Sequence, residues 1–180
     1  MPIRPTSRIA ISVLLGSAVS LAAAAGTASA APRCPGASGI AKLGTAMNLP
    51  AGAPGGWTDT PLEVTLPRAG TYELDADVRG RLIGNAPFNS YIVARLWDAT
   101  SGAEVPQSER LVYQIIDNRT DNALDGGNAT APISELIKVT GPTTIRLQAE
   151  AVNSYGAAST SQIYSDSVGY TALSYDRVGP

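Results

Sequence analysis

Residues 61–80 read PLEVTLPRAGTYELDADVRG. In Leu62-Glu63-Val64-Thr65-Leu66 apolar and polar residues alternate strictly, and Pro67-Arg68-Ala69-Gly70 then supplies turn residues. The alternation resumes beyond that turn, with Tyr72, Leu74, Ala76 and Val78 on one parity and Glu73, Asp75, Asp77 and Arg79 on the other. Successive side chains of a strand point to opposite faces, so this pattern describes a strand with one face in a core and one in water. A helical repeat would mix the two sets. Outward from this stretch, further strands are expected at 91–97, 111–116, 136–139, 145–152 and 170–178, with a weaker first strand at 40–47. Ser101-Gly102 and Gly141-Pro142 read as tight turns, so the strands flanking each are expected to pair antiparallel. The expected fold is all-β, an antiparallel two-sheet sandwich.

Composition agrees. The chain has 180 residues, enough for one domain of ordinary size, with 18 Gly and 13 Pro and only 16% charged residues. It contains no histidine and one cysteine, which excludes Ser-His-Asp and Cys-His catalysis, histidine-ligated zinc and any disulfide framework within the chain. A net charge of −2 gives no basis for nucleic-acid binding.

Arg4 and Arg8 precede an apolar run from Ile9 that is broken by Ser12, Gly16, Ser17 and Ser20 and ends in Ala28-Ser29-Ala30, a small-x-small cleavage site. This is a secretory signal pattern, so residues 1–30 are expected to be removed after Ala30, leaving an extracellular protein with no membrane anchor. Cys34 follows closely, but Pro32 and Arg33 stand where a lipoprotein signal has small uncharged residues. Cys34 is then a lone exported thiol, either unpaired or bonded to a second chain. Residues 31–56 are rich in Pro, Gly and Ala and read as a flexible leader with a possible first strand; 57–180 form the folded domain.

Glu73, Asp75 and Asp77 recur at about 7 Å steps, a spacing compatible with the two carboxylates of a glycosidase. Charged residues are also what the wet face of a sheet carries, and no catalytic residue is assigned. Residues 117–132 and 153–161 are polar and aperiodic, hence surface loops. The first holds Asp117, Asp121 and Asp125 with Asn118, Asn122 and Asn128, but Ala123 and Pro132 occupy positions where a calcium loop needs oxygen ligands. No metal and no cofactor is called for. The second, with Asn153, Tyr155 and nearby Tyr164, has the Tyr/Ser/Gly/Asn chemistry of recognition loops and is the candidate ligand-binding segment.

The unit at 62–80, the strand Tyr91-Ile92-Val93-Ala94-Arg95-Leu96-Trp97-Asp98 with its turn at Ser101-Gly102, and the ending Gly169-Tyr170-Thr171-Ala172-Leu173-Ser174-Tyr175-Asp176-Arg177-Val178 together resemble C1q-like and TNF-like jelly rolls, including those of bacteriophage tail and fibre proteins. The resemblance implies jelly-roll topology, a trimeric assembly, and binding or adhesion without catalysis. There is no Gly-x-y stalk, and no ligand residue is carried over from the family. In the strand at 91–97, Ile92, Ala94 and Leu96 form one apolar face, while Tyr91, Val93 and Trp97 form a second broken by Arg95. That second face needs a cover: the loop 117–132, or another chain in a homotrimer, with Tyr91, Val93 and Trp97 at the interface. The function expected is recognition of a surface, glycan or protein ligand. A structural subunit of an extracellular coat or fibre is the first alternative, and a carboxylate-based glycan-acting enzyme the second.

Overall fold

The computed structural model describes residues 36–180. The signal segment, the cleavage site after Ala30 and Cys34 lie outside the described residues. Twelve strands follow in order: β1 (Ser38–Lys42), β2 (Met47–Asn48), β3 (Ala51–Gly52), β4 (Thr58–Leu66), β5 (Gly70–Asn85), β6 (Phe88–Asp98), β7 (Ala103–Glu104), β8 (Arg110–Asp117), β9 (Leu124–Val139), β10 (Thr143–Tyr155), β11 (Ala158–Ile163) and β12 (Ala172–Gly179).

They form two sheets. In the first, β5 is flanked by β9 on one side and by β12 and β11 on the other, with β1 beyond β12 and β2 beyond β11. In the second, β10 lies between β6 and β4, and β6 also pairs with β8 and β7. All these pairs are antiparallel; the short β3 alone runs parallel to β10. The pairs β6/β8, β5/β9, β4/β10 and β1/β12 nest like one long hairpin, β1-β4-β5-β6 outward and β8-β9-β10-β12 back, rolled so that neighbouring pairs fall in different sheets. That is jelly-roll topology.

The parity read from the sequence is the packing observed. Tyr72, Leu74, Ala76 and Val78 point inward and are at most 3% exposed, while Glu73, Asp75 and Asp77 face solvent. Ile92, Ala94, Leu96, Ile145 and Leu147 of the second sheet meet the first set. Burying each of the larger side chains favours folding by about 1.5–3 kcal/mol.

Four sequence expectations are corrected. The sandwich begins at β1, ahead of the expected boundary at 57: Ser38–Lys42 pairs with β12, and Leu43 and Leu49 are core residues. Residues 124–132 are not loop but the first half of β9, paired with 77–85 of β5. They are small and polar because the strand is thin there: a Cβ on Gly127 would lie 2.5 Å from the Tyr113 hydroxyl. Residues 153–161 are likewise mostly strand, crossing from β10 in one sheet to β11 in the other. Gly156, at φ 60°, makes the corner, where a Cβ would sit 2.5 Å from the Pro87 carbonyl oxygen. Finally, Gly141-Pro142 carries the chain between sheets, so β9 and β10 are not paired neighbours.

Candidate functional site

Along β5 the outward residues Arg79, Arg81 and Ile83 follow the acidic row, and the chain leaving β11 lays Tyr164 beside the two arginines. The Arg79 guanidinium carbon is 5.0 Å and that of Arg81 4.8 Å from the Tyr164 ring centroid. The placement follows from register: Arg81 stands opposite Gln162 of β11, and the Tyr164 N–H donates to the Arg79 carbonyl at 2.7 Å. The two arginines differ in what else they hold. Arg79 donates from Nη1 to Asp166 Oδ1 at 2.9 Å and also to the Gly169 carbonyl. The Arg79 guanidinium holds the Asp166 carboxyl down at about 2. Arg81 has no ion-pair or hydrogen-bond partner for its side chain among the described residues.

Beside Arg81 lies a cavity of about 360 Å³, lined chiefly by Arg81, Ile83, Leu124, Asp125, Gly126 and Asn128. Asn128 stands opposite Arg81 and Gly126 opposite Ile83 in the β5/β9 ladder. A side chain at 126 would collide with Ile83, since a Cβ there would lie 2.9 Å from Ile83 Cγ1. Leu124 is 68% exposed on the cavity wall, and the Asp125 carboxylate is 3.7 Å from Arg119. Asp125 stands opposite the inward Gly84, on the other parity from Arg81. The site therefore combines a free cation, an amide and two apolar surfaces. It has the elements of a binding site and no paired acid and base.

Of the residues expected to bind ligand, Tyr164 belongs to this platform. Tyr155 is exposed at the β10 end, remote in register from Arg81, and pairs with Asn89 across the ladder. Asn153 is used within the fold, its Oδ1 accepting from Ser90 Oγ at 2.7 Å and from the Ala158 N–H at 3.3 Å. Arg81 was not singled out from the sequence, where it falls in a solvent-parity position like any other, and Asn128 figures there only as one of the oxygen donors of a loop. Only the pairing of β5 with a β9 longer than the sequence suggests brings them together.

On the second sheet Val93 is buried and Tyr91 and Trp97 are half-buried. The loop 117–132 is not their cover, because much of it is β9 in the opposite sheet. The segment before β4 covers part of the face instead: Gly55 donates its N–H to Glu150 Oε2 at 2.7 Å, and Trp57 lies over Arg95. Arg95 also contacts Gln148 and Glu104, and Arg146 joins Asp59 and Glu63, so this face carries a continuous polar ladder. Asp117 is committed to Arg119, whose guanidinium holds its carboxyl down at about 2. Glu73, Asp75 and Asp77 form an open solvent-facing row.

No family model and no curated protein matches this chain. Among solved structures it is similar to Eiger TNF from S. frugiperda, at 10% identity over 81% of this chain and 94% of that one, with a TM-score of 0.38. It is also similar to a structure of infectious bursal disease virus Gx strain, at 12% identity over 79% of this chain and 37% of that one, TM-score 0.41. The VP2 subviral particle of the same virus gives 9% identity over 81% of this chain and 42% of that one, TM-score 0.39. The chain thus spans less than half of either viral chain. At these TM-scores the likenesses carry no functional argument, and the jelly roll stands on strand order alone.

Proposed function

We propose that this chain is exported and works as a non-enzymatic binding domain that contacts its ligand at the Tyr164–Arg81 platform and the adjoining cavity. The observation that carries the reading is Arg81, a guanidinium stacked in place on Tyr164, without a counter-ion among the described residues, on the wall of a cavity. Nearby arginines are matched by carboxylates, and a positioned but unmatched charge beside a concavity is suited to an external partner. The signal pattern of residues 1–30 supports export. Capture of the exported protein on cell-wall and glycan preparations tests the reading. Wild type should be retained, and Leu124→Trp, a change at an exposed wall position that fills the cavity, should not; equal retention of both would reject the site.

A second reading, assembly into a homotrimer as a coat or fibre subunit, is favoured by the outer face of β6 and β8. There Tyr91 and Val93 adjoin Leu111 and Ile116, which are 56% and 61% exposed. Trp97 sits at the end of this face that the chain's own Trp57 and Arg95 close. Light scattering at tens of micromolar decides: a trimer that Leu111→Arg splits supports it, and a monomeric wild type eliminates it.

A further inference from the structure

Resting on that reading of the site, we infer that the ligand class is a saccharide ring bearing one carboxylate, a uronic-acid type of sugar. Arg81 presents a planar fork of N–H donors, which matches a carboxylate in two parallel charge-assisted hydrogen bonds. The Tyr164 ring, its centroid 4.8 Å from the guanidinium carbon, restricts the side chain from one side, which lowers the freedom lost on binding. The charge of the lining discriminates among anions. The Asp125 side chain does not face Arg81: Asp125 stands opposite the inward Gly84 in the ladder, on the other parity, and its carboxylate lies 3.7 Å from Arg119. Arg81 is the one cation among the lining residues, so a monoanionic carboxylate balances it, whereas a phosphate or sulfate dianion would leave negative charge uncompensated. Asn128, directly across the ladder from Arg81, adds an amide that both donates and accepts. Ile83 and Leu124 supply apolar surface of the kind that packs against the C–H face of a pyranose. A fatty acid would satisfy Arg81 but needs an enclosed apolar channel, and this cavity has an amide and bare glycine backbone in its wall. Its volume, about 360 Å³, suits one or two sugar rings and lies at the small end of ligand sites, which run from about 300 to 1,000 Å³.

Titration calorimetry of the exported protein with galacturonate and glucuronate oligomers, against the matching neutral galactose and glucose oligomers and inorganic phosphate, is the test. The acidic oligomers should bind at least about tenfold more tightly than the neutral ones, and more weakly as salt is raised. Arg81→Gln should remove that preference, and Arg81→Lys should restore only part of it because the fork is lost. Leu124→Asp keeps Arg81 and Tyr164 intact, removes one apolar surface and places a carboxylate at an exposed wall position. It should weaken both classes of oligomer, and the acidic ones by about tenfold more than the neutral ones. Equal binding of acidic and neutral oligomers, or phosphate binding more tightly than uronate, overturns the ligand class. Failure of every oligomer to bind, while wall preparations still retain wild type but not Leu124→Trp, also overturns the class and leaves the binding site standing. Failure of both measurements removes the site as well.

Discussion

The guanidinium of Arg95 lies against two tryptophans, 3.9 Å from the ring centroid of Trp57 and 4.8 Å from that of Trp97. Trp97 is two residues along β6 from Arg95 and so on the same face, whereas Trp57 arrives from the segment before β4. The contact is how the chain covers the outer face of its second sheet with its own residues. Arg95 is held further by Gln148 at 2.9 Å and Glu104 at 3.1 Å, which makes it the hinge between the cover and the sheet.

Removing either half of this contact should loosen the cover. Arg95→Ala is expected to cost about 2 kcal/mol and Trp57→Ala about 1–2 kcal/mol by urea denaturation. The double variant should show a coupling of about 0.5–2 kcal/mol, and additive losses would mean that the stack contributes nothing of its own.

Tyr72 anchors the core below the first sheet. It is fully buried, packs edge-on to Tyr175 with centroids 5.8 Å apart, and donates its hydroxyl to the Arg68 carbonyl at 2.9 Å. Tyr72→Phe should therefore cost about 1 kcal/mol, the worth of one hydrogen bond whose carbonyl partner is left facing the ring. Tyr72→Ala should cost about 3–5 kcal/mol through the cavity it leaves. Thermal melts that do not separate the two variants would place the ring outside the core.

Acid should destabilise the fold through two carboxyls. Asp166 and Asp117 are each held at about 2 by a hydrogen-bonded arginine, against about 3.9 in an unfolded chain. A depressed carboxyl pKa means that the unfolded state binds the proton first. The stabilisation is thus fully present above about pH 5 and is lost as pH falls towards 2. Urea midpoints measured from pH 5 to pH 2 should fall, and Asp166→Asn and Asp117→Asn should each flatten the fall. An unchanged slope in both would show that these pairs are not linked to folding.

The strands with strict alternation were legible because period two leaves one assignment: 62–66 and 72–78 lie where the sequence puts them, buried on the predicted parity. What was not legible was structure made by partners. Leu124 to Pro132 has no hydrophobic period, since Gly126 and Gly127 serve close approach to β5 and Tyr113, and a strand of small residues looks like a loop in isolation. The cavity inherits that blindness, because Asn128 meets Arg81 only across this ladder. Tyr164 could be picked out by its type, but its neighbours depend on a register that no local signal specifies.

The crossing from β10 to β11 separates conformational need from recognition at three positions, 153, 155 and 156. Gly156 holds φ at 60° with the Pro87 carbonyl oxygen 2.5 Å from where a Cβ would be, so Gly156→Ala meets both a left-handed backbone and a collision. It should be the most damaging of the three, at about 2 kcal/mol or more. Asn153→Ala removes the acceptor for Ser90 Oγ and for the Ala158 N–H, and should cost about 1–2 kcal/mol. Tyr155 is 62% exposed, so Tyr155→Ala should stay within about 0.5 kcal/mol of wild type. Chemical denaturation of the three variants gives the order directly. If Tyr155→Ala were the worst, the tyrosine would be packed against a second chain; if Asn153→Ala were neutral, the corner would be held by the glycine alone.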